Sequence, residues 1–101
     1  MALNSVHSIA LSGMQSAMQR LGSASHNIAN WSTEGYRREL ASNATQVGGG
    51  VTTSLSSATV PGDALAGDIV AQRVALYDFK ANMRVVQTQQ DMLGTLLDLR
   101  A

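Results

Sequence analysis

An all-α hairpin is the fold class this sequence predicts: two long terminal helices packed antiparallel as a coiled coil, with an irregular or short β-hairpin connector. Three observations carry the expectation. Apolar residues near both ends recur at alternating spacings of three and four, the period of a packed helix. The stretch from Leu40 to Gly62 is uncharged, rich in Ser, Thr and Ala, and holds Gly48-Gly49-Gly50. Pro61-Gly62-Asp63 forms a turn signal directly before the second periodic segment.

The first helix is expected over about residues 4–30. Leu3, Val6, Ala10, Gly13, Met14, Ala17, Leu21, Ala24 and Ile28 share one face of a wheel turning about 100° per residue, and Leu11 and Met18 widen it. Asn4 or Ser5 is suited to the N-cap. The other face carries Ser8, Ser12, Gln15, Ser16, Gln19, Ser23 and His26, with Arg20 near its border. A freely solvated helix face usually carries Lys and Glu, which favour helix and solubility. This face is either a plain polar surface or one that meets polar partners, where unpaired charges would be costly.

Between the helices, Val47 and Val51-Thr52-Thr53 flank the three glycines, so the connector is a short hairpin or a flexible link. The glycines lack the Gly-Lys-Ser/Thr sequel of a phosphate loop. The second helix, about Ala64 to Leu99, would run about 50 Å. It has two apolar faces. One is Val70, Val74, Tyr77, Ala81, Val85, Met92, Leu96 and Leu99; the other is Leu76, Phe79, Met83, Val86, Leu93 and Leu97. A charged stripe of Arg73, Lys80, Arg84, Asp91 and Asp98 runs between them. Such a helix wants more than one neighbour, so the first helix should cover one face and something else the other.

Composition excludes much. Lys+Arg and Asp+Glu are both 7 in 101 residues, which argues against an electrostatic nucleic-acid binder. Cysteine is absent, removing disulfides, thiolate metal sites and Cys nucleophiles together. His7 and His26 have no ligand spacing around them, so no metal and no cofactor are expected. Hydrophobic residues make up 45%, but 14 are alanine and only 31 are larger, a thin supply for a private core. No catalytic residues stand out, and the chain reads as no enzyme and as having no small-molecule substrate. Met1 to Gln19 is uncharged yet too polar for a signal peptide or a membrane span, so no cleaved signal and no direct membrane insertion are expected.

The stretch Asn27-Ile28-Ala29-Asn30-Trp31-Ser32-Thr33-Glu34-Gly35-Tyr36-Arg37-Arg38 reads as a helix exit with a defined turn. Asn30 tolerates the left-handed conformation that ends helices, Gly35 can take a positive φ, Thr33 can bond nearby backbone, and Tyr36 is a flat anchor with a polar tip. These residues, with Phe79-Lys80-Ala81-Asn82-Met83-Arg84-Val85-Val86 and the following Gln87 to Leu99, resemble the N- and C-terminal signatures of bacterial flagellar basal-body rod and hook proteins. The resemblance spans about residues 3–38 and 69–99 and looks most like a short proximal-rod subunit.

The resemblance implies a structural subunit of the flagellar basal-body rod. Residues 1–38 would be the N-terminal rod helix and signature turn, 39–63 the connector and 64–101 the C-terminal rod helix. Asn27, Ile28, Asn30, Thr33, Gly35, Tyr36, Phe79 and Asn82 would carry the assembly motif. Val6, Leu21, Ile28, Val70, Val74, Tyr77, Val85, Met92, Leu96 and Leu99 would pack the helices. Implied partners are further copies, other rod subunits and the flagellar type III export apparatus; the implied location is the periplasmic rod. The chain departs from the family in its short middle, in Glu34 where proline is common, and in lacking an Asn-Val pair before the second helix. An alternative is a small secreted helical hairpin of the WXG type, but Trp31 and Gly35 lie four apart instead of two.

Overall fold

The computed structural model describes residues 2–62 and 64–100. It is a small α+β fold of four elements: α1 (Ala2–Ala29), β1 (Glu39–Thr45), β2 (Val51–Ser57) and α2 (Leu65–Arg100). The two helices run antiparallel, as Gly13 facing Asn82, Ser25 bonding Gln72 and Asn27 bonding Asp68 require. The all-α expectation is corrected by the connector, which forms an antiparallel hairpin of two seven-residue strands with Glu39 opposite Ser57 and Thr45 opposite Val51. Of the two connectors expected, the hairpin is the one formed. Pro61 and Gly62 precede α2, while Asp63 of the expected turn lies outside the described residues.

The triple glycine explains the hairpin's tip. Gly48, Gly49 and Gly50 all have positive φ, from 92° to 103°, where L side chains are strained. A Cβ on Gly49 would sit 2.8 Å from Ile9 Cδ1, and one on Gly50 3.0 Å from Ser12 Oγ. The tip therefore turns sharply and rests on α1.

Two expectations about α1 are corrected. The helix already begins at Ala2, so Asn4 and Ser5 lie inside it instead of capping it. Among the described residues only glycines have positive φ, so Asn30 ends the helix without a left-handed turn. Its Nδ2 donates to the His26 carbonyl at 2.9 Å, and the chain leaves through tight turns in which Thr33 N–H donates to Asn30 O and Tyr36 N–H to Thr33 O. Gly35 does take positive φ, at 74°.

The molecule is a rod in shape, 64 × 25 × 13 Å. Its radius of gyration, 17.6 Å, exceeds the roughly 13 Å of a compact domain of this length. Its interior is small and polar. The buried hydrophobic residues are Ala10, Ala17, Ala24 and Ala75; the buried polar ones are Ser16, Ser23, Asn27, Asp68 and Gln89. On α1 the expected stripe holds for Ala10, Ala17 and Ala24, with Gly13, Met14, Leu21 and Ile28 half-buried, whereas Val6, Leu11 and Met18 are exposed.

On α2 the expectation that α1 covers one apolar face does not hold. The residues turned inward are Leu65, Asp68, Gln72, Ala75, Phe79, Asn82, Val86 and Gln89, again at alternating threes and fours. Only Phe79 and Val86 of the second face join this seam. Small side chains let two helices approach closely, and at Gly13 an added Cβ would lie 2.7 Å from Asn82 Nδ2. The first apolar face of α2 is left open along its whole length.

Candidate assembly site

The helix-exit motif builds a polar knot joining both helices and the first strand. Asn27, only 3% exposed, uses every hydrogen-bonding position its amide has. Its Oδ1 accepts from the Glu39 N–H at 2.7 Å and from the Tyr36 hydroxyl at 2.9 Å. Its Nδ2 donates to the Glu39 carbonyl at 2.9 Å and to Asp68 Oδ1 at 3.5 Å. Asp68, 4% exposed, in turn accepts two bonds from the Arg38 guanidinium. A fork of this kind is the geometry that makes a buried carboxylate tolerable. One residue of α1 thus holds the turn, the first strand and the first turn of α2.

Tyr36 sits across this knot, with its ring edge-on to His26 at 5.6 Å. Burial pushes its phenol above the usual value, the carboxylates of Glu39 and Asp68 add to the rise, and Arg38 opposes it. The neutral phenol is the form that donates to Asn27.

The serines of α1 hold the hairpin. Ser16 Oγ lies 2.6 Å from Thr53 Oγ1 and 3.2 Å from Asn43 Oδ1, Ser23 donates to the Glu39 carbonyl, and Ser12 accepts from the Val51 N–H. Part of the uncharged face of α1 therefore meets a polar partner within the same chain. Ser8, Gln15, Gln19 and His26 of that face are exposed.

The motif residues divide into those that lock the fold and those that do not touch the knot. Asn27 and Tyr36 are in it; Asn30, Thr33 and Gly35 shape the turn beside it, with Thr33 Oγ1 donating to Asn30 Oδ1 at 3.3 Å. Ile28 is half-buried and its carbonyl accepts from Trp31 N–H. Phe79 and Asn82 lie in the helix seam, where Asn82 Nδ2 donates to the Asp78 carbonyl. Among the packing residues, Leu21 and Ile28 are half-buried, but Val6, Val70, Val74, Tyr77, Val85, Met92, Leu96 and Leu99 are exposed, Tyr77 by 75% and Leu99 by 79%. Within the chain these eight do not pack the pair, because the seam took the smaller side chains.

Asp68, Glu39 and the Arg20–Asp78 ion pair at 3.0 Å were not signalled by the motif. One signal was available. Asp68 and Asp78 are the acidic residues of α2 that fall off its exposed charged stripe, and both are paired internally. A groove of about 410 Å³ lies beside the knot between β1 and α2, lined in part by Leu40, Ala41, Val70 and Val74. Asn27 in its lining has no bond left to offer. Among the described residues no group of three His, Asp or Glu could hold a metal, and no helix is long and apolar enough to cross a membrane. No protein-family model matches the chain, and no curated protein matches it either.

Proposed function

We propose that this chain is a structural subunit of the bacterial flagellar basal-body rod, assembling through its paired helices into a helical axial structure needed for motility. One observation carries the reading: the molecule buries alanine and polar groups inside and displays its large apolar side chains outside. Among the described residues, 21 large hydrophobics are exposed, and Val70, Val74, Tyr77, Val85, Met92, Leu96 and Leu99 form one open strip on α2. Contiguous apolar surface of this kind marks an interaction face. In this reading the helix pair is an antiparallel coiled coil whose knot fixes register, and whose open faces are covered by neighbouring subunits. The resemblance of Asn27 to Arg38 and of Phe79 to Val86 to the rod signatures supplies the kind of assembly. Export through the flagellar type III apparatus, without a cleaved signal, belongs to the same reading.

The test is Val85→Asp and Leu96→Asp, each at an exposed position where a carboxylate leaves the monomer intact. Cells should still export both variants but lose motility. Full motility with both variants refutes the proposal.

A further inference from the structure

The open strip of α2 also carries a pattern that selects one partner. Counted outward from the midpoint of Thr88 and Gln89, the strip nearly matches itself in reverse: Val85 falls opposite Met92, Ala81 opposite Leu96, and Tyr77 within one residue of the position opposite Leu99. The exposed charged residues beside it lie on one flank, basic in the first half (Arg73, Lys80, Arg84) and acidic in the second (Asp91, Asp98), while Asp78 at the other border is paired with Arg20. All five are exposed, and the ion pairs Arg20–Asp78 and Arg38–Asp68 involve other residues. In an antiparallel helix pair, like flanks face each other; in a parallel pair, unlike flanks do. Antiparallel packing of two copies therefore sets Arg84 against the second copy's acidic half and Lys80 near its end, while parallel packing leaves these charges without counterparts.

We infer that α2 is a homodimer interface: two copies pack antiparallel about a two-fold axis near Thr88, burying the Tyr77–Leu99 strip between them. The inference does not depend on the rod reading, because it concerns the free protein in solution. Such a contact is isologous, each residue meeting its partner twice. The strip is about 33 Å long. At a helix width of about 10 Å on each copy, it buries on the order of 700 Å², below the roughly 1,200–2,000 Å² of stable complexes. The dimer is therefore reversible and weakened by salt, and it shields an apolar face of the free subunit.

The chain has no cysteine, so single cysteines report its geometry without background. Thr88→Cys should cross-link to itself under mild oxidation. Val85→Cys mixed with Met92→Cys should yield mainly the mixed dimer. Sedimentation equilibrium of the unmodified chain should show a monomer–dimer equilibrium, shifted to monomer by NaCl. Arg84→Asp, whose helix content circular dichroism checks, should weaken the dimer about tenfold, since two symmetric ion pairs are lost. Adding Asp91→Arg to it should restore the affinity to within about threefold. A chain that stays monomeric up to about 1 mM at low salt overturns the inference. So do Val85→Cys homodimers as the main product, or an Arg84→Asp variant that dimerises like the parent. None of these results bears on motility, so failure here is separable from failure of the rod reading.

Discussion

Replacing Asn27 by Asp changes one NH2 group to an oxygen and should strongly destabilise the fold at neutral pH. The new carboxylate would face Asp68 Oδ1 across the 3.5 Å now spanned by a hydrogen bond. Two like charges at that separation repel by about 5 kcal/mol at an effective dielectric of about 20. Arg38, forked onto Asp68, neutralises part of this, leaving on the order of 3 kcal/mol. Losing the donor to the Glu39 carbonyl removes about 1 kcal/mol more. A loss near 4 kcal/mol is large against total stabilities of about 5–15 kcal/mol. The sign with pH follows. Repulsion raises the folded-state pKa of the introduced group above its unfolded value of about 3.9, so the penalty is absent below that value and grows as pH rises through the folded pKa. Urea unfolding followed by circular dichroism at pH 7 and pH 4 should show the variant's deficit against the parent shrinking at the lower pH. Asn27→Ala, which loses all of the side chain's bonds without adding charge, should show no such narrowing. A deficit under about 1 kcal/mol at pH 7, or one that ignores pH, would refute the account of the knot.

Alkali should destabilise the fold through Tyr36: its raised pKa means stability is intact below the unfolded value of about 10 and is lost as pH climbs through the folded value. Absorbance titration of the parent against Tyr36→Phe checks this, and the variant should lack the late-ionising phenol. Gly22→Ala, in open space on α1, should stabilise by about 1 kcal/mol, while Gly13→Ala should gain less because the Asn82 amide must move; thermal melts compare them. Gly49→Ala, at φ 103° and against Ile9, should cost about 1–2 kcal/mol and reduce amide protection in the hairpin more than in the helices, as hydrogen exchange would show.

The helices were legible because periodicity needs only residue type and spacing. The partner of each face was not. Val70, Val74, Tyr77 and Val85 form the more apolar stripe, and hydropathy alone assigns that stripe to the interior. The seam instead follows Asp68, Gln72, Ala75 and Asn82, and the side chains of Asp68 and Gln72 find their partners only once α1 and Arg38 are in place. Those are long-range facts that no local window contains. The hairpin was half legible: Gly48-Gly49-Gly50 marks the turn, but the strands are composed of Ser, Thr, Ala and Asn, and their extent is set by hydroxyl contacts to Ser12, Ser16 and Ser23. At the site, Asn27 and Tyr36 stood out by motif, yet their roles depend on Glu39 and Asp68, 12 and 41 positions away from Asn27.

The inversion of small inside and large outside has a physical logic. An Ala and Gly seam gives up area per residue, since burying an alanine contributes far less than burying a leucine. What it provides is close approach, so that the pair stays thin and the polar groups of α1 come within bonding distance of α2. A seam of large apolar residues could slide by a turn and still bury similar area. A seam crossed by Asn27–Asp68, Ser25–Gln72 and Arg20–Asp78 cannot, because a one-turn shift separates all three pairs at once. Register is thereby fixed by polar contacts, a use for which buried polar groups have precedent in coiled coils. With register set from within, Val74, Tyr77, Val85, Met92, Leu96 and Leu99 stay on the surface in a fixed spatial order. An ordered apolar strip is what a second molecule can recognise, so the weak interior and the exposed exterior follow from one choice of where the small residues go.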